Sequence, residues 1–217
     1  MSELSTAEKL YRKSKNRTGY KGVYQLYIKR LLDVILALII LPIALLLMIP
    51  IGIAVKATDG GPILYKSKRL GMGFRVFNML KFRSMKVNAP DIRNADGSTY
   101  NSDHDERVTR IGKLLRETSL DEIPQLFNII KGDMSIIGPR AGDVESRNTY
   151  EDDEKDKLLV RPGVSGYSQA YYRNSIGVRE KRLFDAAYAH NVSFALDVKI
   201  LIHTAFTVLR RKDIYTN

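Results

Sequence analysis

Two adjacent carboxylates, Asp121 and Glu122, are the residues whose types and spacing most favour chemistry in this sequence. A phosphate ester would be repelled by the pair unless a cation intervened, and Mg²⁺ binds through one or two carboxylates plus substrate phosphate oxygens. A carboxylate can also attack phosphorus directly and form an acyl phosphate. Because adjacent residues on a helix project about 100° apart, the two acids can hold different roles. The pair therefore predicts a phosphate-bearing substrate with Mg²⁺ as cofactor.

A structural interpretation of the same residues competes with this one. Ser119 and Glu122 match the capping box S-x-x-E, in which both side chains only close a helix N-terminus. Pro124 opposes it, because with Ser119 as N-cap the proline would be the fifth helical residue and would remove an intrahelical hydrogen bond. With Asp121 as N-cap, Pro124 is the third, where its missing N–H has no partner to lose. We therefore predict a helix that begins at the carboxylates, its N–H groups facing outward as an anion site, although capping alone stays open.

The charge balance indicates an anionic partner. The 217 residues include 35 Lys and Arg against 24 Asp and Glu, a net charge of +11. Such an excess is typical of proteins that bind acidic lipid headgroups, phosphorylated ligands or nucleic acid. Nucleic acid is not expected, because the basic residues are not interleaved with aromatic residues on a recognised module. The absence of cysteine excludes disulfides and a cysteine nucleophile, and three widely spaced histidines do not favour a zinc site.

An uncharged apolar segment covers residues 34–55. About 20 such residues can span a bilayer as a helix. Pro42 and Pro50 interrupt the segment, and each lacks an N–H and clashes with the carbonyl four residues before it, so a kink or break is expected near each. A broken helix can enter one leaflet and leave on the same side, while a full span and a buried core helix remain alternatives.

Basic residues flank this segment on both sides, Lys29 and Arg30 before it and four more within residues 56–69 after it. Since basic residues mark the cytoplasmic side of a membrane, both flanks favour the re-entrant or in-plane helix. Asp33 lies just inside the basic pair. It is expected either to pair with Arg30 at the interface or to stand as an acid in the first helical turn.

The remaining pattern predicts an α+β fold that is mostly helical, with a cytoplasmic domain carrying a short β-hairpin and amphipathic surface helices. The expected division is a basic N-terminal extension at residues 1–22, a membrane element at 23–58 and a catalytic domain at 59–217. The extension is expected to be flexible or to lie on the membrane surface. The predicted elements of the catalytic domain are strands within 63–85 joined by a turn at Gly71 to Gly73, a long loop at 86–104, and helices at 107–117, before Gly132, around 143–157, at 178–190 and at 195–211.

An ordered set of motifs resembles the bacterial sugar transferase family, the monotopic phosphoglycosyl transferases of lipid-linked glycan assembly. The matching residues lie between about 29 and 209, and their order is more specific than any one motif. They are Lys29-Arg30 with Asp33, Gly61-Pro62, Lys81 to Met85, Arg107 to Gln125 around Ser119-Leu120-Asp121-Glu122, Asn128, Lys131 to Ser135, Gly138-Pro139-Arg140, and Arg161-Pro162-Gly163 with Gln169 and Arg173-Asn174. The resemblance implies the small, single-domain form.

What the resemblance implies can be stated residue by residue. Asp121 matches the aspartate that attacks the sugar phosphate of a UDP-sugar and sits at Mg²⁺, and Glu122 matches its partner in that chemistry. The product UMP would leave a covalent phosphosugar intermediate, which undecaprenyl phosphate would then attack.

The resemblance also supplies basic residues for binding and a membrane element. Substrate-binding positions are Arg116, Arg140, Arg173, Lys81 and Arg83, since guanidinium groups pair phosphate oxygens bidentately. The apolar segment matches a re-entrant helix-break-helix, which implies a location at the cytoplasmic membrane facing the cytoplasm.

Three departures from the family pattern bear on specificity and topology. The usual Ser-Pro break is absent, Ala141 replaces the last proline of Gly-Pro-Arg-Pro, and Tyr167, Tyr171 and Tyr172 stand where sugar or nucleotide contacts would be expected. Two alternative functions remain, a glycosyl transferase that releases UDP and a non-catalytic basic adaptor on anionic membranes. The sequence does not name the sugar, the glycan pathway or the oligomeric state.

Overall fold

A computed structural model describes residues 4–16, 22–94, 100, 102 and 104–209. It is a mostly helical α+β fold, as predicted, with one long apolar helix and two small sheets. The helices are α1 (Thr6–Lys15), α2 (Lys29–Asp59), α3 (Arg110–Glu117), α4 (Gln125–Lys131), α5 (Tyr167–Tyr171), α6 (Val178–His190) and α7 (Phe194–Leu209). The strands are β1 (Leu64–Leu70), β2 (Val76–Phe82), β3 (Ser135–Ile137), β4 (Gly142–Asp143) and β5 (Gly163–Ser165).

The helix α2 is continuous through both prolines, and a π-helical turn, Tyr24–Ile28, precedes it. The break predicted near Pro42 and Pro50 is therefore absent from the backbone conformation. Neighbouring elements and local adjustments can accommodate a proline in such a helix. Tyr24–Asp59 is long and apolar enough to cross a membrane, and it is the one such helix among the described residues.

Two faces of α2 differ in residue size and exposure. A stripe of small buried residues, including Ala37, Ala44 and Gly52, follows one face, so that other elements can approach closely. Ile39, Ile43 and Leu46 are 64%, 64% and 70% exposed. The helix packs through its buried side against α4, α3 and β3, which leaves a wide apolar surface uncovered.

Side chains at the beginning of α2 bind several other elements. Lys29 Nζ donates to Asp197 Oδ2 of α7 at 2.6 Å, and Arg30 donates to two carbonyls at the end of α4. Asp33 is buried and accepts from Ser135 Oγ at 2.7 Å and from the N–H of residue 136 at 3.0 Å. Neither alternative for Asp33 was right, because it pairs with β3 and Arg30 caps a helix.

The far end of α2 is fixed by Arg83, just after β2. Its guanidinium donates to both carboxylate oxygens of Asp59 and to the carbonyls of Val55, Pro62 and Met85. All five N–H donors of Arg83 are thus used within the protein. The substrate contact predicted for Arg83 stays a prediction, but the structure gives the side chain a different task.

The predicted hairpin is confirmed. β1 and β2 pair antiparallel from Leu64 opposite Phe82 to Leu70 opposite Val76, and β4 pairs with the other edge of β1. Gly73 takes a φ of 63° in the connection, a value that glycine tolerates without strain. β3 and β5 form a separate parallel pair.

Local structure differs from the prediction in two places. α1 is capped by Ser5 and packs on α6 through Ala7 and Tyr11, so this part of the extension is folded rather than flexible, while its predicted place on the membrane surface stays a prediction. The acidic helix expected around residues 143–157 is replaced by two 3-10 turns, Glu145–Thr149 and Lys155–Leu159. α6 and α7 follow the prediction closely within the described residues.

Candidate active site

The carboxylates lie in a 3-10 turn, Leu120–Glu122, that precedes α4. Ser119 has a φ of 58° and makes no side-chain cap, so the capping box is not formed. Asp121 is not an N-cap either, because α4 begins after Pro124 and the Glu122 N–H donates to the Ser119 carbonyl at 3.2 Å. α4 thus begins three residues after Glu122, later than predicted, and the predicted backbone anion site stays a prediction. Side chains bring positive charge to the carboxylates.

Lys81 supplies the nearest positive charge. Its Nζ donates to Glu122 Oε1 at 2.6 Å and lies 3.9 Å from Asp121 Oδ2. Lys81 shares a face of β2 with Met79 because side chains alternate along a strand, and both line one cleft. That Lys81 binds the substrate stays a prediction. The structure places the Lys81 side chain beside both carboxylates.

Asn128 of α4 holds β2 at this position. Its Oδ1 accepts the Leu80 N–H at 2.9 Å, and its Nδ2 donates to the Asn78 carbonyl at 2.8 Å. This buried amide replaces a strand partner on the free edge of β2 and so fixes Lys81 beside the turn. Asn128 was not among the predicted site residues, although it belonged to the motif set that carried the resemblance.

The two carboxyl groups have opposite pKa shifts. Burial, together with the neighbouring Glu122 charge and against the effect of Lys81, raises the pKa of Asp121 to about 6. For Glu122, burial acts upward, but Lys81, Arg140 and a hydrogen bond from Gln125 outweigh it and hold the pKa below its usual value. Glu122 therefore loses its proton before Asp121 does as the pH rises, and Asp121 ionises only in the range around pH 6.

The predicted arginines lie at different distances from the pair. Arg116 and Arg140 are close enough to lower the pKa of Asp121, and Arg116 Nε also donates to Ser84 Oγ at 2.9 Å. Arg140 is exposed on the segment between β3 and β4 and lines the cleft. Arg173 follows α5 with a φ of 44° and does not line the cleft.

Three glycines, Gly138, Gly163 and Gly166, allow the backbone segments that form one wall of the cleft to approach closely. A Cβ on Gly163 would lie 2.1 Å from Gly138 N, and a Cβ on Gly166 would lie 2.0 Å from Gly138 O. Such separations are far below contact distance, so the segments bearing Arg140 and Gln169 can meet only as glycine backbone. The enclosed volume is about 20 Å³, room for about one water molecule, so a ligand must widen the cleft.

The tyrosines that differ from the family pattern have packing partners. Tyr167 and Tyr172 stack on Phe184 with ring centroids 5.7 and 4.5 Å apart. Tyr171 lies 4.1 Å from the ring of His203. The structure thus gives these side chains a role in packing α5 against α6 and α7.

The carboxylate pair suits Mg²⁺ by its donor chemistry. Among the described residues, no group of three or more His, Asp or Glu side chains could hold a metal by itself. Mg²⁺ commonly takes one or two carboxylates and completes its shell with water and substrate phosphates. Asp121 and Glu122 provide that number of hard oxygen ligands.

Comparison with known proteins gives the same assignment as the motifs. The bacterial sugar transferase family matches residues 24–211. The chain is 36% identical over 200 residues to the undecaprenyl-phosphate galactose phosphotransferase of Salmonella typhimurium, covering 87% of this chain and 42% of that protein. It is 37% identical over 192 residues to the UDP-N-acetylgalactosamine-undecaprenyl-phosphate N-acetylgalactosaminephosphotransferase of Aeromonas hydrophila (84% and 44%).

A third relative is the UDP-glucose:undecaprenyl-phosphate glucose-1-phosphate transferase of Xanthomonas campestris, 37% identical over 200 residues (88% of this chain and 41% of that protein). The chain thus spans less than half the length of these curated relatives. The family match nevertheless covers α2, the carboxylate turn and the cleft together. The chain therefore belongs to the bacterial sugar transferase family.

Proposed function

We propose that this protein transfers a sugar-1-phosphate from a UDP-sugar to undecaprenyl phosphate and releases UMP. The observation that carries the proposal is the geometry of the carboxylate pair: Lys81 Nζ lies 2.6 Å from Glu122 Oε1 and 3.9 Å from Asp121 Oδ2, at a cleft that Arg140 also lines. The relatives support the substrate class, because all three are named for undecaprenyl phosphate and two of them for a UDP-sugar as well.

The chemistry proceeds in two displacements at one phosphorus atom. An Asp121 carboxylate oxygen attacks the phosphorus that bears the sugar, and the bond from that phosphorus to the bridging oxygen breaks, so UMP leaves with the electron pair. A phosphate oxygen of undecaprenyl phosphate then attacks the same phosphorus and restores the Asp121 carboxylate.

The surrounding residues bind and orient the diphosphate. Lys81, Arg116 and Arg140 contribute positive charge at the carboxylates, and Arg173 is proposed to join them when the cleft opens. Glu122 assists by holding Lys81 in place beside the Asp121 carboxylate. Bound Mg²⁺, held by Asp121 and the phosphate oxygens, would offset the repulsion between carboxylates and substrate.

We also propose that α2 is a re-entrant or in-plane membrane helix at the cytoplasmic membrane, with the catalytic part facing the cytoplasm. A straight helix of 31 residues is about 46 Å long, longer than the ~30 Å hydrocarbon core. Asp33 near its start and Asp59 at its end both bind residues of the same globular part. A full span would separate those ends by the bilayer, so these contacts support a position of both ends on one side, which a continuous helix reaches by lying in the plane of the membrane.

The topology can be tested by cysteine labelling, since the chain has no cysteine of its own. Lys15→Cys and Lys68→Cys are both exposed positions, before and after α2. Both are expected to react with a membrane-impermeant maleimide from the cytoplasmic side only. Labelling of the two positions from opposite sides would refute the proposal.

The nucleotide product tests the reaction. The protein in nanodiscs with undecaprenyl phosphate, Mg²⁺ and a panel of UDP-sugars is expected to release UMP in step with the lipid-linked sugar, and EDTA is expected to stop the release. UDP as product would instead indicate transfer of the sugar alone. Salt-sensitive binding to anionic vesicles with no nucleotide product would indicate an adaptor.

Two matched substitutions assign the nucleophile. D121N is expected to abolish UMP release, whereas D152N, at a side chain that is 98% exposed, is expected to retain it. Without the lipid acceptor, mass spectrometry of the wild type should find a sugar phosphate on the peptide that contains Asp121. Full activity of D121N would overturn the mechanism.

A further inference from the structure

One buried polar atom in the cleft wall has no hydrogen-bond partner. Gln169 Oε1 is inaccessible to solvent and pairs with no group in the described part of the chain. Its amide orientation is fixed because Nε2 donates to the Val164 carbonyl at 3.3 Å, and a flipped amide would set two oxygens against each other. The other unpaired buried oxygen, Asp133 Oδ2, has the Lys131 ammonium at 3.2 Å. Leaving a buried acceptor unpaired is unfavourable, so Gln169 calls for a donor from outside.

Gln169 lines the same cleft as Lys81, Glu122 and Arg140. The cleft therefore combines charged groups suited to a diphosphate with one neutral acceptor. Phosphate oxygens at neutral pH carry no proton to donate, so they cannot satisfy Gln169 Oε1. A hydroxyl group can, and hydroxyls flank the diphosphate of a nucleotide sugar on both sides.

Asp185 sets the spacing between the cation and the acceptor. This carboxylate is 1% exposed, accepts the Arg140 N–H at 3.0 Å and the Ser168 N–H at 3.3 Å, and lies 3.6 Å from Lys157 Nζ. One buried group thus ties the backbone of Arg140 to the backbone beside Gln169. The separation between Arg140 and Gln169 is therefore set by hydrogen bonds to a buried carboxylate.

We propose that Gln169 Oε1 accepts a hydrogen bond from a hydroxyl of the bound nucleotide sugar, next to the diphosphate, and so contributes to substrate selection. This inference rests on the proposed function. The hydroxyl can belong to the hexose or to the ribose, and the two sources share the chemistry of a neutral donor.

The test combines Q169L with substrates that lack one hydroxyl. The UDP-sugar that gives the fastest UMP release is compared with analogues deoxygenated on the hexose, in one arm, and on the ribose, in the other. For the wild type, removal of the hydroxyl bound by Gln169 is expected to lower kcat/KM by roughly 3- to 10-fold, as for a neutral hydrogen bond. For Q169L the same removal is expected to have no effect.

The cycle separates binding from a structural defect, because a misplaced cleft would lower activity on every substrate by the same factor. Coupling in the hexose arm or in the ribose arm supports the proposal and identifies the source. If the wild type releases UMP but the losses in kcat/KM caused by Q169L and by removal of each hydroxyl are independent in both arms, this inference alone is overturned. Absence of UMP release by the wild type from every UDP-sugar overturns the proposed function as well.

Discussion

Replacing Asp121 with asparagine removes a carboxylate whose ionisation is disfavoured by folding. Burial, reinforced by Glu122 and opposed by Lys81, raises its pKa from 3.8 to about 6. Because the pKa of Asp121 is raised on folding, the folded state binds this proton more tightly than the unfolded state. The resulting contribution to the free energy of unfolding is complete below about pH 3.8 and is lost as the pH rises through about 6. At roughly 1.4 kcal/mol per pH unit, this corresponds to about 3 kcal/mol by pH 7.5.

Because asparagine is neutral at every pH, D121N should be more stable than the wild type by about 1–3 kcal/mol at pH 7.5. The range allows for solvent relaxation around the charge and for the lost attraction to Lys81. Near pH 4 the wild-type carboxyl is protonated too, so the two proteins should be nearly equal. A substitution expected to abolish turnover is thus expected to stabilise the fold.

E122Q provides a matched control of opposite sign. The pKa of Glu122 is lowered because Lys81 and Arg140 outweigh the effect of burial. A lowered pKa gives stability that is present above the unfolded value of 4.5 and is lost as the pH falls. E122Q should therefore be less stable than the wild type at pH 7.5, with a difference that narrows toward pH 4.

Thermal unfolding in one detergent, at one scan rate, from pH 4.5 to 8 measures these differences. For a chain of this size, 1 kcal/mol corresponds to about 2–4 °C in Tm, so D121N, more stable by about 1–3 kcal/mol, should melt about 2–12 °C above the wild type at pH 7.5. D152N, at an exposed site, should follow the wild-type curve. A D121N curve that is parallel to the wild type at all pH values, or below it at pH 7.5, would refute the assigned electrostatics.

Three further predictions test the parts that position the site. G112A should lower the free energy of unfolding by about 3 kcal/mol or more, because a Cβ would lie 1.9 Å from the Ser84 carbonyl oxygen. R83K should lower the free energy of unfolding by about 2–3 kcal/mol, because the buried guanidinium loses donors to Asp59 and to the Val55 and Pro62 carbonyls. KM for the UDP-sugar should not change; a raised KM at unchanged Tm would instead support the substrate contact. The kcat/KM should rise about tenfold per pH unit below about 6 and level off above it, as Asp121 ionises.

The hairpin and the long helices were predictable because their signals are local. Alternating apolar residues and the Gly71 to Gly73 turn fix β1 and β2 without help from distant residues. α3 was predicted from residue 107 but begins at Arg110, because Thr109 Oγ1 accepts the Gly112 N–H at 2.9 Å as an N-cap. A continuous α2 was not predictable from proline chemistry, which gives a kink or a break at Pro42 and Pro50, whereas the helix runs through both.

The site itself was predicted in part. Local pattern left Asp121 and Glu122 between capping and catalysis, and the family resemblance named them. Their contact with Lys81 depends on Asn128, which binds a strand 48 residues away in sequence, and no local pattern encodes that distance. Arg83 lies two positions from Lys81 in the same motif, so motif membership alone could not separate a residue that binds α2 from one that binds the carboxylates.

α2, which is proposed to lie in the membrane, is joined to the carboxylate turn through two short connections. At its start, α2 binds the end of α4 through Arg30, and α4 begins just after the carboxylates. At its end, α2 binds Arg83, which follows the strand that carries Lys81. A lipid acceptor held at the surface of α2 would therefore present its phosphate to a site whose two charged sides are fixed to that same helix. A reaction between a water-soluble nucleotide and a lipid phosphate would therefore be favoured by a helix that lies along the domain. A helix that pointed away from the domain would leave only one of the two charged sides of the site attached.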